Sequence, residues 1–552
     1  MSVFPLLLGL LGYGASLTPS LVPRPAVFQG ILAGFVAAII YFVTCAGLTA
    51  WRHLHLPVVT GKVARVLHIF VAIPVMICLG YCMFRATFWQ NSIRERMGME
   101  PIEGTQAFLI FSLAVLTFLV LYSLGEVIQR LYDWLRTQLD KVMPHRTANV
   151  LGFVLVALIV FVVTRDGVGS YILDRFDRHY AMAQNLFDDA DAPPEYLNTY
   201  LQHSGLDWGR MGAEGRRFIA SGPRAEQISA FTGRNAHQPV RVYVGRAEAA
   251  TAQLRAKMAL TELIRTDAFR RKILVVAMPT GTGWLAPASH DPLEIMHHGD
   301  VATVAVQYSY LQSPLTLITE PQSGLQQAQA VLDMIYAYWS GLPRDSRPKF
   351  YLSGSSLGAG SSMNSFDMLK LVNDPIDGAL WAGPPFLSSL WKQSNAKRKT
   401  GSRFVLPLIG DGEVVRYASQ YRDIDENYAD WGRLRLVFLQ YASDPIVFYS
   451  PDSVLRPPEW MRDDLAPDVS PYLQHIPLVT HFQMVVDMLL SNDVPTGFGH
   501  NYAASDYIDA WISISEPDDW TEKDTARLKA ACDAAREAGC NLEDVSLISQ
   551  SQ

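Results

Sequence analysis

Long apolar runs in the first third of the chain restrict most strongly what it can fold into. Four of these runs have charged residues at both ends, and they cover residues 25–51, 66–84, 104–125 and 147–164. A bilayer core needs about 20 apolar residues for each spanning helix, and charged residues mark the points where a helix leaves the lipid. We therefore expect a transmembrane helical domain over residues 1–165.

The opening run, residues 1–23, contains no charged side chain. Pro19 and Pro23 shorten it, so it predicts either a fifth span or an interfacial or re-entrant turn. A cleaved signal peptide is the alternative, and the absence of a basic stretch before the apolar part disfavours it. The expected number of spans is therefore four to five.

The loops between the runs predict the orientation in the membrane. Residues 52–65 carry three Lys or Arg residues, and residues 126–146 carry four. Basic loops remain on the cytoplasmic side, so the part of the chain after Arg165 is expected on the opposite face. In a Gram-negative cell this arrangement predicts a multi-pass protein of the inner membrane with a periplasmic domain.

Charge and cysteine content argue against two classes of protein. The net charge of −7 disfavours a nucleic-acid partner, which would need a basic groove or stripe. Five cysteines are too few for a disulfide scaffold. Cys532 and Cys540 are able to pair if their domain faces an oxidising compartment, but their spacing alone leaves this open.

After a polar connecting region, residues 166–235, strand-like and helix-like patterns alternate through residues 236–552. Strands are predicted over residues 239–246, 272–280, 300–310, 349–354, 377–385 and 433–445. Helices are predicted near residues 249–265, 323–339, 357–372 and 477–490. Such alternation is typical of a mostly parallel sheet flanked by helices on both faces.

One strand-to-helix junction has the pattern of a nucleophile elbow. Residues 349–362 read KFYLSGSSLGAGSS, and Gly354 to Gly358 fit G-x-S-x-G. In this turn the central serine, Ser356, holds a strained backbone, and its small neighbours let strand and helix approach. Ser355 is the variable residue before it. An ordinary glycine-rich turn is the alternative interpretation.

A serine nucleophile needs a histidine base and an acid that orients it, and in this arrangement both follow the serine. Asp444 closes the last predicted strand and is the candidate acid, although an aspartate before a proline also commonly caps a turn. Asp411 is its rival. His500, between glycines and Asn501, is the candidate base, with His475 and His481 as alternatives.

The same chemistry needs donors for the oxyanion of the tetrahedral intermediate. The backbone N–H of Leu357, the residue after the nucleophile, is one predicted donor. The other donor is expected from the turn after the strand at 272–280. The candidate residues of this turn are Thr280, Gly281, Thr282 and Gly283. An ordinary glycine turn is the competing interpretation.

Metal and nucleotide sites have little support in the sequence. Residues 291–300, DPLEIMHHGD, collect acidic residues and two histidines, but adjacent histidines seldom converge on one ion. Neither G-x-G-x-x-G after a first strand nor G-x-x-x-x-G-K-[ST] occurs. We therefore expect no metal and no cofactor.

Taken together, these residues resemble the bacterial transmembrane α/β-hydrolase family over nearly the full length. The resemblance rests on segments at residues 16–30, 279–284, 354–362, 380–386, 443–452, 459–464 and 497–502. It implies an α-helical transmembrane N-terminal domain followed by an α/β-hydrolase domain with a serine-hydrolase-type site and no cofactor. By this resemblance, the catalytic residues are expected to be Ser356, Asp444 and His500.

Three functional hypotheses remain open at this point. The first is an esterase or lipase that acts on a membrane lipid or another membrane-associated acyl ester. The second is an acyltransferase that passes the same acyl group to an alcohol or sugar, and the third is a non-enzymatic membrane protein with a degenerate hydrolase domain. Aromatic-rich segments near 387–431 and 446–474 predict lids over an acyl groove, or else additional packing against the core or the membrane surface.

Overall fold

We describe the protein from a computed structural model. It describes all residues except 1, 55, 105, 164–192, 195–196, 198–200, 312–315, 317–321, 366–373, 423, 426–427, 536–538 and 543–552. Parts of the predicted connecting region 166–235 and of the predicted helix near 357–372 therefore lie outside the described residues.

The described elements alternate as the sequence predicts. The helices are α1 (Val3–Ser16), α2 (Ala26–His53), α3 (Gly61–Arg96), α4 (Ala107–Leu139), α5 (His145–Val162), α6 (Gly212–Ala220), α7 (Ala225–Thr232), α8 (Ala252–Arg265), α9 (Pro287–Met296), α10 (Ser323–Ser340), α11 (Leu357–Asn364), α12 (Ser389–Ala396), α13 (Pro445–Phe448), α14 (Val479–Leu489), α15 (Ala504–Ser515) and α16 (Glu522–Ala535). The strands are β1 (Val240–Val244), β2 (Ile273–Met278), β3 (Val301–Val306), β4 (Lys349–Ser355), β5 (Gly378–Ala382), β6 (Val415–Ala418) and β7 (Arg435–Leu439).

The described residues form two compact units. The first unit is drawn from residues 1–175 and 449–495, and the second from residues 176–448 and 496–552. The segment 449–495 thus packs with the N-terminal helices rather than with the sheet, although in sequence it lies between two parts of the second unit. The predicted lid near 446–474 falls mostly in this segment, and its role as a lid remains a prediction.

In the first unit, α2, α3, α4 and α5 are long and apolar enough to cross a membrane. These helices match the four predicted runs and suggest a membrane protein. Helix α1 has 14 residues, so at 1.5 Å per residue it is about 21 Å long, shorter than the roughly 30 Å of a bilayer core.

Close helix contacts hold the first unit together. Tyr13, Ala33, Leu79 and Ile110, from α1, α2, α3 and α4, belong to one buried apolar cluster. Gly30 lets α2 approach α4 closely, because a Cβ at this position would come within 2.9 Å of the Ile110 carbonyl oxygen. Small residues at such crossings let helix backbones pack in a lipid environment.

A buried ion pair fastens α14 to the turn between α1 and α2. The guanidinium of Arg24 lies 3.6 Å from the carboxylate of Asp487, and neither side chain is exposed to solvent. Arg24 also donates to the carbonyl oxygens of Ser16, the last residue of α1, and of Thr18, two residues beyond it, at 3.3 and 2.9 Å. These carbonyls have no partner within the helix, so the arginine satisfies them.

The second unit is built on a seven-stranded sheet in the order β1-β3-β2-β4-β5-β7-β6. Every neighbouring pair is parallel. The strands β2 and β3 are buried along their whole length, as expected for a parallel sheet with both faces covered. The mostly parallel sheet flanked by helices is therefore confirmed, and β6 is a strand that the sequence analysis missed.

The last helices of the second unit complete its core. Trp511 of α15 is fully buried and packs edge-to-face against Tyr351 of β4 with ring centroids 5.9 Å apart. A disulfide joins Cys532 of α16 to Cys540, which answers the pairing that the sequence left open. The backbone N–H of Cys540 donates to the buried carboxylate of Asp291 at 3.3 Å.

We expect Asp487→Asn to destabilise the first unit. The substitution keeps the shape of the side chain but leaves the buried Arg24 guanidinium without its counter-charge. Breaking a buried pair on one side typically costs about 3–5 kcal/mol. Thermal unfolding of the full chain in detergent measures this effect, with Asp464→Asn, an exposed aspartate of the same segment, as the control. Equal unfolding temperatures for the two variants would contradict the structural role of the pair.

Candidate active site

The elbow at the end of β4 has the backbone strain that its sequence predicts. Ser356 has φ 55° and ψ −127°, a conformation that L-residues rarely adopt, and Leu357 begins α11 directly after it. Such a residue costs on the order of 1–3 kcal/mol unless its surroundings enforce the conformation. Ser356 is 7% exposed. The neighbouring Ser355 hydroxyl hydrogen-bonds instead to the Tyr507 hydroxyl at 3.0 Å.

Two glycines permit the close packing that enforces the elbow. A Cβ on Gly354 would come within 2.6 Å of the backbone carbon of Gly358. A Cβ on Gly358 would overlap the carbonyl oxygen of Met278 at the end of β2. Helix α11 therefore begins in direct contact with two strand ends, and any side chain at either glycine would push it away.

Asp444 is fully buried, and each of its carboxylate oxygens has a hydrogen-bond partner. Its Oδ2 lies 2.6 Å from Nδ1 of His500. Its Oδ1 accepts the backbone N–H of Ile446 at 2.8 Å, in the first turn of α13. The capping role and the contact with the candidate base therefore coexist, because each uses a different carboxylate oxygen.

A tight turn presents His500. The N–H of Gly497 donates to the carbonyl of Asn501 at 2.8 Å, which closes the turn around the histidine. The N–H of Gly499 donates to the hydroxyl of Ser443 at 2.9 Å. Because Ser443 immediately precedes the acid, the same short segment holds both the acid and the turn that carries the base.

The candidate serine and acid follow two parallel strands that are separated by a third, at the same edge of the sheet. Ser356 follows β4 and Asp444 follows β7, and β5 lies between these two strands. The N–H of Ser356 donates to the carbonyl of Ala382 at the end of β5, at 2.9 Å. A Cβ on the next residue, Gly383, would lie 2.5 Å from Cε1 of His500. The serine and the histidine thus flank the same peptide.

Hydrogen bonding in the described residues joins only part of the predicted triad. The Asp444–His500 contact is formed. A hydrogen bond between the Ser356 hydroxyl and His500 is not among the contacts of the described residues. Catalytic hydrogen bonds are often long without substrate and tighten when it binds.

Two backbone N–H groups of the predicted oxyanion turn after β2 donate hydrogen bonds within the turn itself. The N–H of Thr280 donates to the carbonyl of Trp284, and the N–H of Gly283 donates to the carbonyl of Thr280, both at 3.0 Å. The carbonyl of Thr282 accepts a hydrogen bond from the side chain of Gln307 at 2.9 Å. Within the part of the chain that is described, the N–H of Gly281 has no acceptor.

The N–H of Leu357 likewise has no acceptor among the described residues, because it lies in the first turn of α11. Such first-turn amides point out of the helix and are ready donors for a negative charge. Within the described residues, the N–H groups of Leu357 and Gly281 are therefore both without a protein acceptor.

Tyr502 is a residue of this site that the sequence analysis missed. Its hydroxyl donates to Oδ2 of Asp444 at 2.6 Å, the same oxygen that contacts His500. Burial, followed by the negative charge of Asp444, holds the pKa of Tyr502 well above its ordinary value. Its ring stacks on Tyr441 at 4.5 Å, and Tyr441 in turn hydrogen-bonds to Asp506. Its place two residues after the candidate base was the available signal.

The rival residues have other partners. Asp411 is exposed and forms an ion pair with Lys399. His475 contacts the carbonyl of Ser453 at 2.8 Å, and Nδ1 of His481 contacts its hydroxyl at 3.0 Å. Both histidines lie in segment 449–495 and so belong to the first unit.

The acidic and histidine-containing segment near α9 takes part in a buried network. Arg241 of β1 pairs with Asp291 at 2.5 Å and with Glu294 at 2.8 Å. Burial raises the pKa of Glu294 to about 7, although the charge of Arg241 opposes this shift. The ring of His297 hydrogen-bonds to Ser515 at 2.8 Å, and burial lowers its pKa to about 3. These contacts tie α9 to β1 and α15.

We expect Asp506 to make stability pH-dependent. Burial is the main cause that raises its pKa from 3.8 to about 6, so the folded state favours the protonated carboxyl. Its stabilising contribution is fully present below about pH 4 and is lost as the pH rises through about 6, a change of about 3 kcal/mol.

In Asp506→Asn this part of the pH dependence should disappear, whereas the exposed control Glu522→Gln should keep it. Unfolding temperatures in detergent between pH 4 and 7 provide the measurement. A pH profile of Asp506→Asn that runs parallel to wild type would exclude this assignment.

Comparison with known families agrees with the fold and covers most of the chain. A model described as the alpha/beta-hydrolase family matches residues 240–528, and a model described as the N-terminus of that family matches residues 17–223. No curated protein and no solved structure matches. The first match alone covers just over half of the 552 residues and runs from β1 into α16. The chain therefore belongs to the alpha/beta-hydrolase family.

Proposed function

We propose that the protein is a membrane-anchored serine hydrolase of the esterase or lipase type. The observation that carries this proposal is the 2.6 Å contact between Asp444 and His500, beside a strained Ser356 at the same edge of the sheet. A nucleophile, a base and an acid that orients the base are the parts that acyl transfer through a serine requires.

In the proposed reaction, His500 accepts the proton of the Ser356 hydroxyl as its oxygen attacks the ester carbonyl. Asp444 holds Nδ1 of the imidazole, so Nε2 is the nitrogen that takes the proton, and the carboxylate stabilises the imidazolium that forms. The imidazolium then protonates the departing alcohol, which leaves an acyl-enzyme. Water attacks this ester with His500 as the base and releases the acid and the free serine.

The N–H groups of Leu357 and Gly281 are the proposed donors to the oxyanion. Each such donor typically contributes about 3–4 kcal/mol to stabilisation of the transition state. Tyr502 is proposed as a positioning residue, because its hydroxyl fixes the carboxylate that orients His500.

A membrane lipid or another membrane-associated ester is the proposed substrate class. Four helices able to cross a membrane would keep the hydrolase unit close to such esters. The basic loops support a hydrolase unit on the side opposite the cytoplasm. The Cys532–Cys540 disulfide supports the same side, because disulfides persist in oxidising compartments.

A fluorophosphonate probe tests the nucleophile directly. We expect the full chain in detergent to be labelled at Ser356, and Ser356→Ala to lose all labelling. Ser355→Ala, which removes the adjacent hydroxyl, should remain labelled. Labelling of Ser356→Ala at the wild-type level, or no labelling of the wild type, would favour a non-enzymatic role. Transfer of the acyl group to an alcohol with no free acid released would instead identify an acyltransferase.

Ester hydrolysis by paired variants tests the base and the acid. We expect His500→Ala and Asp444→Asn each to lower kcat about 10⁴-fold, because the serine then lacks an oriented base. The rival residues supply matched controls: His481→Ala and Asp411→Asn should stay within a few-fold of wild type. A loss of activity confined to the control variants would refute the assignment of Asp444 and His500.

A further inference from the structure

The first unit contains a cavity of about 410 Å³ that the proposed reaction does not use. Its volume lies in the range of small-molecule sites. The α1–α2 turn, the C-terminal part of α3 and the start of α4 line it, together with Asp493. Leu17, Val27 and Leu109 contribute apolar surface, whereas Gln90 and Arg94 contribute hydrogen-bond donors.

Gln90 has a buried donor without an acceptor. The residue is 6% exposed, and its Oε1 accepts the backbone N–H of Arg24 at 3.0 Å. This bond fixes the orientation of the amide, so Nε2 is the remaining donor, and it has no partner among the residues that the structure describes. A buried donor of this kind is costly unless another molecule supplies an acceptor.

Arg94 adds a positive charge on the same face of α3. It lies four residues after Gln90, a spacing that places two side chains next to each other on a helix. Its Nε donates to the carbonyl of Glu100 at 2.6 Å, and among the described residues no carboxylate forms an ion pair with it. Its terminal nitrogens are therefore able to bind an anionic group.

The position of the cavity along the helices is that of a membrane interface. It lies where α1 and α3 end and where α2 and α4 begin, which is one end of successive antiparallel spans. Loops 52–65 and 126–146, on which the predicted orientation rests, lie at the other end, so this end is expected to face away from the cytoplasm. Polar donors beside apolar walls at such a depth match a molecule with a polar head and acyl chains.

We propose that this cavity binds a phospholipid, with phosphate oxygens accepting hydrogen bonds from Gln90 and Arg94. The glycerol and upper acyl region would contact Leu17, Val27 and Leu109. The carboxylate of Asp493, which is also part of the lining, disfavours a second anionic group and favours a zwitterionic head with an ammonium. This proposal is independent of Ser356 and holds whether or not the protein is a hydrolase.

Native mass spectrometry of the full chain in detergent tests the proposal by titration with three probes. Phosphatidylethanolamine should bind most tightly, phosphatidylglycerol more weakly, and inorganic phosphate only at far higher concentration. Gln90→Glu keeps the acceptor for Arg24 but replaces the donor with a negative oxygen. Gln90→Glu and Arg94→Ala should each weaken phosphatidylethanolamine binding about tenfold or more, the usual effect of losing a hydrogen bond to a charged group.

Arg96→Ala is the matched control, since Arg96 is exposed and is not part of the lining, and its guanidinium donates to the carbonyl of Pro467 at 2.9 Å. It should bind the lipid as wild type does. Val27→Trp fills the cavity from a residue that is 47% exposed, so it tests occupancy without touching the polar groups. It should also reduce lipid binding, and it covers the case in which Gln90→Glu fails to fold.

Wild-type affinity in Arg94→Ala and Val27→Trp would overturn the proposal. Binding of inorganic phosphate as tight as that of the lipid would replace it with a simple anion site. Preference for phosphatidylglycerol over phosphatidylethanolamine would refute the role given to Asp493.

Discussion

Parallel pairing of β2, β4, β5 and β7 is the constraint on which the candidate site depends. These strands are consecutive neighbours in the sheet, so their carboxyl ends lie along one edge. Open parallel sheets bind ligands in the crevice outside these ends. The turn with Gly281, the elbow with Ser356, the peptide at Gly383 and the acid Asp444 each follow one of the four strands. Residues that are more than 150 positions apart in the chain are thus brought to one edge by the pairing of these strands.

Local interactions then determine the geometry at this edge. The strained backbone of Ser356 is held by contacts on both sides: the glycines that admit α11, and the hydrogen bond to the end of β5. Asp444 is buried, but an imidazole, a phenol and a backbone amide satisfy its oxygens. A buried carboxylate with this many partners remains in one orientation, as a residue that must orient a base requires.

The amount that could be predicted from sequence differs between elements for physical reasons. Strands β2 and β3 were predictable, since burial on both faces leaves an unbroken apolar run. The four long helices were predictable because each has an apolar run long enough to cross a bilayer. Strand β6 was not, because its four residues, Val-Arg-Tyr-Ala, have no distinctive pattern and gain their structure by pairing with β7. The elbow, Asp444 and His500 carry recognisable local patterns. Tyr502 lies two residues after His500, but only the folded chain reveals that its hydroxyl reaches the acid. The roles of these residues in catalysis remain predictions.

The packing of residues 449–495 with the N-terminal helices has a consequence for how the protein can be divided. The chain leaves the hydrolase unit soon after Asp444 and returns to it shortly before His500. The acid and the base therefore lie on either side of a segment, residues 449–495, that belongs to the first unit. A fragment that begins at β1 would still contain residues 449–495. Their apolar side chains and the carboxylate of Asp487 would lack the partners that the N-terminal part of the chain provides. Residues 449–495 thus have their packing partners among the N-terminal helices, so the two units are not two consecutive, separable halves of the chain.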